Sequence, residues 1–190
     1  MTPDPLATVV RLVSGAFERL GIAYLIGGSV ASSARGIVRA TVDIDIVARV
    51  LPQQAQALAA ALGPDWYVEP TQIRDAILAG RSFNVIHMLT AQKVDIFPAN
   101  DDFHLTQLAR ATKGSLEFLG ETAEYPIATA EDILLAKLKW YRDGGEISDR
   151  QWYDIAGIVA TNPGLDIEYL ERWAVRLGVA PLLARALSER

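Results

Sequence analysis

Residues 22–50 read IAYLIGGSVASSARGIVRATVDIDIVARV. The run from Ile22 to Ile26 is short and apolar and closes on the pair Gly27-Gly28, which predicts a buried strand ending in a tight turn. Residues 29–36 are small and polar and predict a short helix stopped by Gly36. From Thr41 the chain alternates. Val42, Ile44 and Ile46 fall on one side and Asp43 and Asp45 on the other, a period of two that predicts a strand over 41–50. Both carboxylates then point the same way. Like charges on one face repel and cost stability unless a cation sits between them. The plain alternative is an exposed strand face with solubilising acids, and Asp95 argues against it: in Lys93-Val94-Asp95-Ile96-Phe97 a single acid again stands among apolar residues.

Three acids converging on one point are what two divalent cations need to activate a nucleophile and neutralise a transferring phosphoryl group. Beside them, Gly27 and Gly28 let backbone amides approach an anion, Ser29 adds a hydroxyl, and a helix beginning there aims its positive end at phosphate. An anion cradle next to a carboxylate metal site suits a nucleoside triphosphate with its magnesium. Composition agrees. The chain has no cysteine and two histidines, so thiolate zinc sites, iron–sulfur clusters and cysteine nucleophiles are excluded. Any divalent metal rests on carboxylates, which favours magnesium or manganese.

The rest of the chain is mixed α/β to about residue 125 and helical after it. A helix is predicted over 5–20, started by prolines and ended by Gly21, and another over 52–62. Residues 66–70 predict a weak strand and 71–80 a short helix or irregular segment. Residues 83–89 and 93–97 predict a hairpin, and 114–120 a strand; residues 103–111 carry no clear pattern. After Tyr125-Pro126, helices are predicted over 129–144, 148–160, 165–178 and 180–190, the first with Thr129 and the second with Ser148 as cap. This divides the chain into a catalytic α/β unit, 1–125, and a helical C-terminal region, 126–190.

The Gly-Gly-Ser turn, the Asp-x-Asp strand and the later single Asp resemble the nucleotidyltransferase superfamily related to DNA polymerase beta. The form Arg39-x-Thr41-x-Asp43-Ile44-Asp45 is similar to the subgroup of AbiEii-type toxins and their bacterial nucleotidyltransferase relatives. So, more weakly, are Ala136-Lys137-Leu138 and the later pair Arg150 and Asp154. The resemblance spans roughly residues 20–160. In one respect the chain departs: the stretch from Ser29 to Asp43 is longer than in minimal members, which bears on how nucleotide enters. The resemblance implies an α+β fold with a short mixed sheet and transfer of a nucleotidyl group from an NTP, ATP among them, to a hydroxyl acceptor (tRNA, protein or small molecule). It implies that Asp43, Asp45 and Asp95 are catalytic and hold magnesium, two ions, with manganese as substitute. Gly27, Gly28, Ser29, Arg39 and Lys137 would bind nucleotide, and an antitoxin protein would be a partner. The rival reading is a catalytically degenerate fold that binds nucleotide or a partner without turnover.

The charge balance limits the acceptor. Net charge is −5, and residues 96–190 carry 10 basic and 15 acidic side chains, which would repel a large RNA. No apolar run is long enough for a membrane span and the N-terminus lacks a basic leader, so the expected compartment is the cytoplasm. Phosphate-loop, dinucleotide-binding and nucleophile-elbow motifs are absent. His87 reads as structural. Trp140, Trp152, Tyr153 and Trp173 read as packing between helices rather than a base-stacking platform.

Overall fold

A computed structural model describes residues 4–34 and 44–189. Helix α1 (Pro5–Arg19) opens on Asp4, whose carboxylate accepts from the amide of Leu6 at 2.7 Å, with Pro5 in the first turn; proline there gives up no helical hydrogen bond. Strands β1 (Tyr24–Ile26) and β2 (Ile44–Ala48) flank the short helix α2 (Gly28–Ala34). A 3-10 turn at Pro52–Gln54 leads into α3 (Ala55–Leu62), then β3 (Trp66–Tyr67), α4 (Pro70–Leu78), β4 (Phe83–His87) and β5 (Gln92–Pro98). Helix α5 (Asp102–Arg110) and strands β6 (Thr112–Leu116) and β7 (Glu121–Ile127) follow. The chain ends in α6 (Ala130–Asp143), α7 (Asp149–Thr161), α8 (Ile167–Leu177) and α9 (Ala180–Ser188). No described helix is long and apolar enough to cross a membrane.

The strands form one mixed sheet in the order β3-β4-β5-β2-β1-β7-β6. β2 runs parallel to β5 and antiparallel to β1, and β1 runs parallel to β7. In this register Ile44, Ile46, Val94, Ile96 and Tyr24 share one face. Helix α1 covers that face: the Phe17 ring lies 5.4 Å from the Tyr24 ring, and Ile44, Ile46, Val94 and Ile96 are fully buried. Asp45, Val47, Asp95, Phe97 and Leu25 share the other face, towards α5 and α6, where the Phe97 ring meets Trp140 at 5.4 Å. The α/β class and the mixed sheet expected from the sequence are what the chain adopts.

Two segments resolve what the sequence left open. Residues 103–110 fall in α5, whose start is fixed by the Asp101 carboxylate accepting from the His104 amide at 2.8 Å. Residues 71–80 lie largely in α4, begun by Pro70 and capped by Glu69. His87 is buried, bonded through Nδ1 to Thr90 Oγ1 at 2.9 Å and packed on Trp66. Trp152 and Trp173 pack on Tyr141 and Phe103, whereas Tyr153 is exposed.

One buried polar group locks α6 against α5 and α8. Asp132 is fully buried; its Oδ1 accepts from the Tyr169 hydroxyl at 2.5 Å, and Arg110 lies 3.8 Å above the Tyr169 ring. Burial raises the Asp132 carboxyl above the usual carboxylate range, against the lowering effect of the Tyr169 and Thr129 hydrogen bonds. A raised folded-state value means that this group favours the fold at low pH, and that the benefit fades as pH climbs through that value. Tyr169→Phe removes a hydrogen bond to the charged form and pushes the carboxyl higher still. The variant should lose about 1–3 kcal/mol of stability, with a larger loss at pH 8 than at pH 5 by urea unfolding.

Candidate active site

The in-register pairing of β2 with β5 sets Asp45 directly beside Asp95. Both side chains rise from the same face of neighbouring strands. At the end of β1, the amide of Gly27 donates to the carbonyl of Asp45 at 2.8 Å, fixing the turn to the strand that carries the acid. Gly28 adopts φ of +56°, a conformation that costs other residues energy. A second constraint is steric. A Cβ on Gly28 would overlap the Asp45 carboxylate and stand 2.8 Å from the Asp45 Cβ. The glycine that the sequence assigns to phosphate approach is thus also required by the carboxylate beside it.

Ser29, Asp45, Asp95 and Lys137 line a single cleft of about 610 Å³, joined by Lys93, Phe97, Trp140 and the Arg150, Gln151 and Asp154 side of α7. Gly27 and Gly28 line the adjoining cavity, which shares Asp45 and Lys137 with the cleft. The structure therefore brings together six of the eight candidate residues. Arg39 and Asp43 lie outside the described residues.

Lys137 is largely buried, and its Nζ is 3.0 Å from Asp154 Oδ2. The anion it meets is the carboxylate of Asp154 on α7. Asp154 therefore engages Lys137, a pairing between helices that spacing within α7 alone does not show. Lys93 was not singled out from the sequence: its Nζ is 2.6 Å from Asp95 Oδ2. Its signal was available, since positions 93 and 95 share a strand face. His104 pairs with Asp101 at 2.6 Å and keeps to the start of α5.

The fit to a divalent cation can be judged from the donors. Asp45 and Asp95 offer carboxylate oxygens only, side by side, the donor set of a hard cation. No group of three or more metal-ligating side chains occurs among the described residues, and the third acid expected from the sequence, Asp43, falls outside them.

No family model and no curated protein sequence matches the chain. Solved structures do match in fold. One is a solution structure of the antibiotic-resistance factor ANT(2'')-Ia, 19% identical with a TM-score of 0.55, covering 95% of this chain and 96% of that one. A crystal structure of ANT(2'')-Ia in complex with adenylyl-2''-tobramycin is 16% identical with a TM-score of 0.52, over 90% and 96%. A third, an antigenic nucleotidyltransferase-like protein from Paracoccidioides brasiliensis, is 19% identical with a TM-score of 0.50, over 98% and 94%. The chain shares its overall fold with these three structures.

Gly28→Ala puts both constraints at risk at once. It should lower stability by about 1–3 kcal/mol, the usual cost of holding a non-glycine residue in such a conformation. It should also displace Asp45 and so weaken Mn²⁺ binding. Thermal unfolding and a Mn²⁺ titration on the same samples read the two effects separately.

Proposed function

We propose that the protein transfers a nucleotidyl group from a magnesium–NTP to a hydroxyl of an acceptor. The observation that supports this most is the pairing of Asp45 with Asp95 in one cleft with Ser29 and Lys137. Asp43, Asp45 and Asp95 would hold magnesium, or manganese in its place, which when bound would neutralise the triphosphate. The chain's own groups supply the rest. Ser29 and the Gly27-Gly28 turn bind the β and γ phosphates, and Lys137 and Arg39 offset their charge. The acceptor oxygen attacks the α-phosphorus in line with the bridging oxygen. The new oxygen–phosphorus bond forms as the bond to the bridging oxygen breaks, and pyrophosphate leaves. Asp95 takes the hydroxyl proton.

ANT(2'')-Ia has been captured with adenylyl-2''-tobramycin, and its fold likeness makes ATP the first NTP to test. A toxin-type role with an antitoxin partner rests on the Arg39–Asp45 motif alone. Division into a catalytic unit over 1–125 and a helical region over 126–190 suits this reading, with the helices bringing Lys137 to the cleft. A second reading, a degenerate module that binds without turnover, is favoured by one contact: Lys93 on Asp95 at 2.6 Å. The Lys93 side chain is 44% exposed.

The experiment compares ATP labelled at the α-phosphate with ATP labelled at the γ-phosphate, incubated with magnesium and a small-molecule extract. Transfer should carry the α label only, with release of pyrophosphate. Lys93→Gln should leave transfer within a few-fold of the parent. Absence of α-label transfer to any acceptor, with magnesium–ATP binding retained, establishes the degenerate module instead.

Lys137→Ala tests the helical contribution. It leaves Asp154 buried beside a lost cation, so the melting temperature should fall. Transfer per folded molecule should fall about tenfold to a thousandfold, the usual effect of removing one charge-stabilising group. Arg74→Ala, at an exposed side chain of α4 away from the cleft, should match the parent in both respects. An unchanged rate for Lys137→Ala would confine the active site to the sheet.

A further inference from the structure

Next to the cleft lies a second cavity of about 270 Å³ that shares Asp45, Phe97, Lys137 and Trp140 with it. Its walls are mostly apolar, with Leu25, Val47 and Phe97 from the sheet face and Phe103, Ile133 and Ala136 from the helices, and the Gly27-Gly28 turn also lines it. A volume near the lower end for ligand pockets, mostly apolar with a few placed polar groups, is the form of a small-molecule site.

Two of those polar groups are incompletely bonded. Gln107 is 3% exposed and lines the cavity; its Nε2 donates to the Asp132 carbonyl at 3.4 Å, and its Oε1 has no hydrogen-bond partner among the described residues. Asp132 also lines the cavity. Its Oδ1 accepts from Tyr169, while Oδ2 faces Arg110 Nε at 3.6 Å, too long for a hydrogen bond, and neither of those two atoms has a hydrogen-bond partner among the described residues. Buried acceptors left unbonded are uncommon and costly. Asp132 Oδ2 has the Arg110 cation opposite it, which leaves Gln107 Oε1 as the acceptor beside the cavity that calls for a ligand that donates.

Apart from Asp45 and Lys137, which it shares with the cleft, the charged groups around the cavity are paired. Asp101 pairs with His104, Lys139 with Asp143, and Asp132 with Tyr169 and Arg110. Little is left to hold a polycation, and the apolar walls would desolvate one at a cost.

We infer that this cavity is the acceptor site and takes a small, neutral, ring-sized hydroxyl compound. This rests on the nucleotidyl-transfer reading above. The body of the acceptor packs between Val47, Phe97 and Phe103. A hydroxyl at its inner end donates to Gln107 Oε1. A second hydroxyl, at the mouth shared with the cleft, meets the α-phosphorus beside Asp45. That oxygen gains the bond to phosphorus as pyrophosphate departs, and its proton passes to Asp95.

The test uses trans-1,4-cyclohexanediol, a neutral ring with a donor at each end, and tobramycin as a polycation. Binding of each to the full chain is followed by ligand-observed NMR, and magnesium–ATP binding is measured by calorimetry on the same samples. The diol should bind the parent. Gln107→Leu should weaken it about five- to tenfold, the loss of one hydrogen bond, and Ala136→Phe, which fills the cavity, should abolish it. Magnesium–ATP binding should stay within twofold in both variants, and tobramycin should not displace the diol. The inference is overturned if the diol fails to bind, if Ala136→Phe leaves it bound, or if tobramycin displaces it. It is also overturned if Ala136→Phe abolishes magnesium–ATP binding, since the cavity would then hold the nucleobase. A parent that binds the diol but not magnesium–ATP refutes the transfer reading while leaving the cavity as a small-molecule site.

Discussion

The register between β2 and β5 is the constraint on which the site depends. A shift of one residue in either strand would turn Asp45 or Asp95 to the apolar face beneath α1 and put an isoleucine or valine in the cleft. The apolar residues hold that register, because Ile44, Ile46, Val94 and Ile96 are all fully buried on the opposite face. The core therefore sets the position of the acids, and the adjacency of two carboxylates is maintained by burial energy elsewhere rather than by any attraction between them.

Everything added to that pair is placed by close packing. Gly28 has to lack a side chain because the Asp45 carboxylate occupies the space, which ties the turn after β1 to the acid on β2. Helix α6 brings Lys137 to the same cleft, and α7 answers with Asp154. The depth at which α6 sits is fixed in turn by Asp132, whose buried carboxylate is bonded to Tyr169 of α8 and faces Arg110 of α5. Disturbing that network shifts Lys137 and the wall of the acceptor cavity together, although neither Tyr169 nor Arg110 lines the cleft.

Much of this was legible in the sequence because it follows from short-range rules. The alternation over 42–46 and the repeat of an isolated acid at Asp95 placed both carboxylates on strand faces. Thr129 and Ser148 marked helix starts that their side chains do cap. What the sequence withheld is long-range. Strand order cannot be read from periodicity, so the adjacency of β2 and β5, separated by a 3-10 turn, two helices and two strands, came only with the fold. The same holds for Lys137 and Asp154, on different helices, and for Gln107 and Asp132, which share a cavity wall across the β6–β7 hairpin. Helix α5 was missed because its apolar positions are few and its start depends on a single cap, Asp101.

In the proposed reaction Asp45 and Asp95 act together on a divalent cation and a triphosphate. The most direct measurement is a Mn²⁺ titration followed by electron paramagnetic resonance, with and without a non-hydrolysable ATP analogue, on the parent, Asp45→Asn and Asp95→Asn. The parent should bind Mn²⁺ more tightly with the analogue present, and either variant should lose most of that binding while remaining folded. Equal Mn²⁺ binding by the parent and both variants, or none by the parent with the analogue present, would contradict this joint role of the two acids.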